Sequence, residues 1–257
     1  MRKAIVIIIL VVAMILPFAA FNVLPVIGDP NSAPNTHVTD YYIEHAQDEC
    51  NSPNMVTAVI VDYRAYDTMF ETTVMFLAGI VVVLLLSAKP KDENRVLIPR
   101  LDEDKPKGTG HPIFENINKR IIISITEAVI LIYAIYVLFH GEVSLGGGFQ
   151  AGALIGMAYL LDVMVVPGGK QLFYLPKDKS AALAGVGPFI YALTGILSMI
   201  GGGLFLEYKK LPFPVDELEL HSIGILLVEI GVTIGVMATI ITILNALMEK
   251  VRFDDEH

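Results

Sequence analysis

Tryptophan is absent from the 257 residues, cysteine occurs once, and charged residues make up only 18%. The lone Cys50 excludes an intrachain disulfide, and no thiol or zinc cluster is apparent. Without tryptophan, any interfacial aromatic belt must be built from tyrosine and phenylalanine. A soluble domain of this length carries about 25% charge. The shortage here goes with 54% hydrophobic residues and a mean hydropathy of +0.62, which excludes an ordinary soluble domain. Positive charge is scarcer than negative: 18 Lys and Arg against 27 Asp and Glu leave a formal net charge of −9. That balance argues against a nucleic-acid partner.

What is abundant is long apolar runs near 20 residues, the length that spans a ~30 Å hydrocarbon core. The pattern predicts an all-α integral membrane protein of about six transmembrane helices plus one interfacial or lateral helix. The first span is Ala4–Leu24, with Pro17 as a kink. Arg2-Lys3 ahead of it and Ala19-Ala20 within it resemble a signal peptide, but the run continues to Leu24 and reads as a retained signal-anchor. Pro25–Pro53 follows, with no Lys or Arg, five acidic residues and four prolines. It is expected to be extended or irregular. Asn54–Ala88 would be ~50 Å long as one helix, too long for an upright span. It is therefore expected as a lateral helix over Pro53–Tyr66 and a second span over Thr68–Ser87. The remaining spans are Arg120–Phe139, Gly148–Val166, Ala181–Leu206 and His221–Met248, with Gly201-Gly202-Gly203 loosening the fifth.

Six spans place both termini on one side. Of the 18 Lys and Arg residues, 15 fall on that same side, the exceptions being Arg64, Lys209 and Lys210. The positive-inside rule makes that side cytoplasmic, in a multi-pass cell-membrane protein. Lys89–Lys119 is a charged linker and the best boundary in the chain.

Small residues recur four apart at Ser144, Gly148, Gly152 and Gly156. On a helix this spacing gives a smooth stripe that admits another helix backbone. Gly224, Gly231 and Gly235 make a second seam in the sixth span. Charges inside the hydrocarbon are costly unless paired or wetted. Glu71, Glu127, Asp162 and Glu229 are thus candidates for a proton or sodium path, with His140 and Glu142 as a relay at its mouth. The structural alternative is that these carboxylates are bundle glue, and that His140 caps carbonyls or meets solvent. Asp62, Arg64 and Asp67 are candidates for structural ion pairing, Arg64, Asp67 and Glu71 lying on one face if the helix bends without breaking. His37, His45 and His221 show no ligand spacing. Gly146-Gly147-Gly148 is no dinucleotide loop, because a long apolar helix precedes it where a strand is required. No metal or cofactor site and no self-contained enzyme is expected.

Two stretches carry a resemblance. HGEVSLGGGFQAGALIGMAYLL (residues 140–161) resembles a signature of the B subunit of Mrp-type cation/proton antiporters, roughly His-Gly-His-x-x-Pro-Gly-Gly-Gly-Phe-x-Gly-Gly. NMVTAVIVDYRAYDTMFETTV (residues 54–74) resembles a signature near the C-terminal end of the A subunit. Glu142 stands where a second His is common, Leu145 where Pro is, and Ala65 and Phe70 where Gly is. The resemblance implies an A-subunit-like region over 1–100, a charged linker over 101–110 and a four-helix B-subunit-like domain over 111–257. It further implies a membrane subunit of a multi-subunit sodium/proton antiport module. Such modules also occur in redox-driven complexes such as archaeal membrane-bound hydrogenases and sulfur-reducing complexes. The expected partners are other subunits of a hetero-oligomeric membrane complex, the lipid bilayer, and sodium ions and protons in transit. The alternative is a scaffold that joins pumping subunits to a redox arm without carrying ions itself.

Overall fold

Each apolar run named above forms a helix over most of the residues that the structure describes. The computed structural model describes residues 6–7, 9–15, 26–32, 34–87, 112–165 and 175–255, with side chains for all but 34, 87, 112–120, 164–165 and 250–255. Among these residues there is no strand. The helices are α1 (Thr39–Cys50), α2 (Ala65–Ser87), α3 (Pro112–Phe139), α4 (Gly148–Val165), α5 (Lys177–Ile200) and α6 (Glu217–Asp255). The chain divides into two compact units, Met1–His45 and Ala46–His257.

In the first unit, residues 6–7 and 9–15 are helical and their large apolar side chains are exposed. The rest of the expected first span, like the expected linker 101–110, lies outside the described residues.

In the second unit, α6 is the hub. Its 39 residues extend ~58 Å at 1.5 Å per residue, and 61% of its apolar window is buried against 11% for α2. Four described helices are long and apolar enough to cross a membrane: Ala65–Leu86, Ile121–Phe139, Lys177–Ile200 and Glu217–Glu249. The stretch Gly148–Val163 of α4 is apolar but shorter.

Small residues let these helices approach. A Cβ at Gly148 would lie 2.2 Å from the Glu229 carbonyl oxygen, one at Gly152 2.7 Å from that of Thr233, and one at Gly156 2.9 Å from Ile240. Thus the stripe on α4 packs along α6. A Cβ at Gly187 of α5 would meet the Gly231 carbonyl and Gly235 Cα at 2.6 Å, and one at Gly235 would meet Thr72 of α2 at 3.3 Å. Gly224 accommodates the Tyr208 ring, 2.4 Å from where its Cβ would be. With little hydrophobic force between helices in lipid, close backbone packing of this kind is what joins them.

Several expectations need correction. Pro25–Pro53 is not irregular throughout: Pro34–Val38 is π-helical and α1 follows it. Alpha1 buries only Ala46 and Cys50, in a small cluster with Ala58 and Tyr63, so its apolar periodicity is too sparse to read. The lateral segment is shorter than expected, one α-turn at Met55–Thr57 and a π-helix at Ala58–Tyr63. Alpha3 starts earlier, with Pro112 first, where a missing N–H costs nothing. Alpha5 starts at Lys177 and ends at Ile200, because Gly201 runs against Lys210, whose carbonyl oxygen lies 1.6 Å from a would-be Cβ. Alpha6 extends beyond both ends of the apolar run, carrying polar residues that hydropathy leaves out.

Candidate functional site

The π-helix positions the site. Its wide turn closes with Arg64 N–H donating to the Val59 carbonyl at 2.8 Å. Such turns leave carbonyls in need of donors. Two hydroxyls supply them, Thr68 to Ile60 at 2.5 Å and Tyr208 to Val61 at 2.8 Å, and Tyr191 donates to Ala65, the first residue of α2, at 2.8 Å. The break at Arg64 then redirects the chain into α2. Beside it lies a cavity of about 220 Å³, lined by Asn54, Thr57, Thr68, Glu71, Thr72, the 145–150 segment and, from α6, Val228, Glu229, Val232 and Val236. The volume far exceeds the ~15 Å³ that one water needs.

Glu229 is 4% exposed, and its carboxyl sits in a cage of glycines. A Cβ on Gly141 would lie 2.7 Å from its Oε1, and one on Gly147 3.1 Å away. Gly147 has φ +125°, a conformation that favours glycine. The main chain of Glu229 is fixed by Thr233, whose hydroxyl lies 2.8 Å from the Glu229 carbonyl and 3.1 Å from that of Gly148. Glu71 reaches the same cavity from α2 with its side chain exposed, next to buried Thr72. A carboxyl shielded within the fold and another open to the outside therefore share one chamber, whose other walls are mainly apolar, Val56, Ile60, Val61 and Met75 among them.

The turn 140–147 closes the chamber. Asn54 Nδ2 donates to the carbonyls of Gly141 at 3.0 Å and Ser144 at 2.7 Å, and its main-chain N–H donates to that of Glu142 at 3.0 Å. Thr57 Oγ1 donates to Gly141 at 2.6 Å and Ser52 Oγ to Glu142 at 3.2 Å. The Glu142 carboxyl is half-buried and hydrogen-bonded to Ser222; burial pushes its pKa above the usual glutamate range and the Ser222 bond pulls it partly back.

Two family models match the chain. "Domain related to MnhB subunit of Na+/H+ antiporter" matches residues 119–242, and the model of MbhE, one of the MBH subunits, matches residues 2–100. A Staphylococcus haemolyticus protein named as antiporter subunit mnhB2 is 33% identical over 130 residues, half of this chain and 91% of its own length. The chain belongs to the MnhB-related family of Na+/H+ antiporter subunits. Two solved structures share the fold. The Mrp complex from Dietzia sp. DQ12-45-1b superposes with a TM-score of 0.68 at 23% identity, covering 95% of this chain and 26% of that one. The archaeal membrane-bound sulfane sulfur reductase, a respiratory membrane complex, superposes with a TM-score of 0.56 at 25% identity, covering 98% of both chains. This MnhB-related chain is a multi-pass membrane protein.

The residues singled out in the sequence separate into groups. Glu71 and Glu229 share the chamber with Gly146, Gly147 and Gly148. Glu127 and Asp162 lie elsewhere, on α3 and α4, buried to 1% and 6% exposure. Asp162 is the acidic neighbour of Glu127, and Glu127 Oε1 is buried without a hydrogen-bond partner. His140 stacks on Tyr136 with centroids 3.9 Å apart, and its Nδ1 lies 3.1 Å from the Tyr136 carbonyl. It lies outside the chamber lining. Arg64 pairs with Asp67 at 2.5 Å, and the helix is interrupted at Arg64, so the condition for an Arg64–Asp67–Glu71 strip, one helix bent without breaking, is not met. Asp62 turns instead to His221, 2.6 Å away.

His221, Asn54 and Thr57 were missed as site-building residues. Asn54 carried a signal: it follows Pro53 and precedes an apolar run, the pattern of an N-cap, and its Oδ1 does accept from Val56 N–H at 3.1 Å. His221 carried none, since its partner is 159 positions away. Among the described residues no group of three or more His, Cys, Asp or Glu is placed to hold a metal ion.

Proposed function

We propose that this chain is a membrane subunit of a multi-subunit sodium/proton antiport module, working within a redox-driven ion-pumping respiratory complex. The chamber shared by Glu229 and Glu71 is its part of the ion route. One observation carries this reading: a buried carboxyl and an open one line a single, mostly apolar cavity where the two family-matched segments meet. A carboxyl held away from bulk water can take up and release a proton, and an intramembrane acid of this kind marks ion pathways. Glu71 then offers the exchange partner on the open side, and Thr57, Thr68 and Thr72 supply hydroxyl oxygens between them.

The same reading divides the chain into an A-subunit-like region to residue 100, a linker over 101–110 and a B-subunit-like domain from 111. It places six spans in the bilayer, with both termini cytoplasmic, and puts the 140–147 turn toward the outer face. Glu127 and Asp162 form a second acidic level deeper in the bundle. They are ~18 Å from Phe139 and ~21 Å from Gly148 along α3 and α4.

The test is the Glu229→Gln complex, reconstituted in proteoliposomes, with sodium and proton flux measured against a native gel of the assembly. Intact assembly with exchange reduced about tenfold or more supports the route. Unchanged flux per assembled complex overturns it and favours the scaffold reading. One observation already favours that alternative in part: Glu71 sits among exposed apolar side chains of α2, with Phe70 and Val74 beside it, a face suited to covering by a neighbouring subunit.

A further inference from the structure

We infer that Asn54 is a positioning residue for the Glu229 carboxyl: by holding three carbonyls of the 141–144 turn, it fixes the glycine cage in which that carboxyl sits. The inference rests on the ion-route reading of the chamber.

The cage has no side chains of its own. Gly141 and Gly147 bring backbone to within contact distance of Glu229 Oε1, so the place of the carboxyl depends on where the turn's main chain lies. Within the turn, Val143 and Ser144 N–H both donate to the single carbonyl of His140, and Gly147 N–H donates to Val137. The carbonyls of Gly141, Glu142 and Ser144 point the other way, and Asn54 donates to all three, to Gly141 and Ser144 from Nδ2 and to Glu142 from its main-chain N–H. A primary amide is suited to this role because it has two donors on one nitrogen and an acceptor beside them. The acceptor Oδ1 is used to cap Val56, which fixes the amide with its nitrogen toward the turn and toward the Thr57 hydroxyl, 2.9 Å away. Asn54 opens the segment that resembles the A subunit, and the turn belongs to the segment that resembles the B subunit. The clamp therefore ties the two halves of the chamber together at Glu229.

The groups that face Glu229 are Glu142 on the turn, Glu71 across the chamber and Tyr191 on α5; α4 contributes Gln150, which does not titrate. Loosening the turn changes the distance of Glu229 from Glu142 and its access to water, and so changes how exchange depends on pH.

Asn54→Ser separates the clamp from the cap. Serine is a good N-cap, but it is too short and carries too few donors to hold the turn. The experiment uses the full complex, with hydrogen–deuterium exchange over residues 141–147 and sodium/proton exchange in proteoliposomes as a function of pH. Faster amide exchange in the turn, together with a pH profile moved by about half a unit or more, is the expected result. Loosened amides with an unmoved profile overturn the inference, as does a turn that stays as protected as in the parent. If Asn54→Ser does not assemble, Thr57→Val is read in the same two ways; it removes the hydroxyl that donates to Gly141 and accepts from Asn54 Nδ2, and so loosens the clamp while keeping the Asn54 cap on Val56. If Glu229→Gln exchanges normally, it is the ion-route reading that has failed, and the clamp then has no transported proton to position.

Discussion

The Glu229 carboxyl lies 2.7 Å from the point that a Cβ on Gly141 would occupy. These residues are on different helical hairpins, and the contact leaves no room for any side chain but hydrogen. Gly141→Ala is expected to push the carboxyl out of its cage or lift the turn, whose Gly147 Cα lies 3.0 Å from the same point. Exchange should fall about tenfold, ~1.4 kcal/mol on the barrier, with the complex still assembled. Gly185→Ala is the control: its Cβ would meet only the Phe76 ring edge at 3.3 Å, and exchange should stay near the parent value. Equal rates for both variants would contradict the cage.

Asp62 and His221 make the second long-range contact of the π-helix, at 2.6 Å with side chains 13% and 15% exposed. A hydrogen bond involving a charged group contributes ~1.5–3 kcal/mol. Asp62→Asn should lower the denaturation midpoint of the detergent-solubilised complex, and the double variant with His221→Gln should cost less than the sum of the single ones. Additive losses would mean that the two side chains do not act as a pair.

The spans were legible because a bilayer demands long unbroken apolar runs, and α2 to α6 each contain one. Their ends were not, because α3, α5 and α6 extend into polar sequence that a search for apolar runs leaves out. Alpha1 escaped notice because it buries two residues only. For the site, the sequence marked Glu71, Glu127, Asp162 and Glu229 on cost alone, since an intramembrane acid needs a reason. It did not reveal that Glu71 and Glu229, which are 158 positions apart, share a chamber while Glu127 and Asp162 do not. That partition depends on the π-turn and the glycine contacts, which are tertiary facts. The A-like motif drew attention to Asp62, Arg64 and Asp67, yet the asparagine at its start makes the contact that closes the chamber.

Cys50 is 2% exposed, and its thiol is pushed up to about 12, first by burial and then by the nearby Asp62 charge, against a lowering bond from Tyr63. The thiolate is the reactive form. Maleimide labelling of the folded complex at neutral pH should be slower than that of a free thiol by about a thousandfold. After denaturation it should be complete. Rapid labelling in the folded state would place Cys50 outside the Ala46–Ala58 cluster.

Glu142 gives the stability of the turn a pH dependence whose sign follows from its environment. Burial raises its folded-state pKa above the unfolded value, and the Ser222 bond opposes that only in part. The fold therefore favours the protonated acid. Its contribution is fully present below the unfolded value of about 4.3 and is lost as pH rises through the raised folded value. Glu142→Gln keeps the shape and removes the titration. The variant's midpoint should therefore gain on the parent as pH rises from about 4, and the gap should level off once the folded-state group has ionised. Ser222→Ala removes the opposing bond, so it should carry that levelling point to higher pH. A gap between Glu142→Gln and parent that stays flat from about pH 4 to 8 would mean that Glu142 is as well solvated in the folded turn as in the unfolded chain. The polar staple of Asn54, Ser52 and Thr57 would then hold an open turn, not a sealed one.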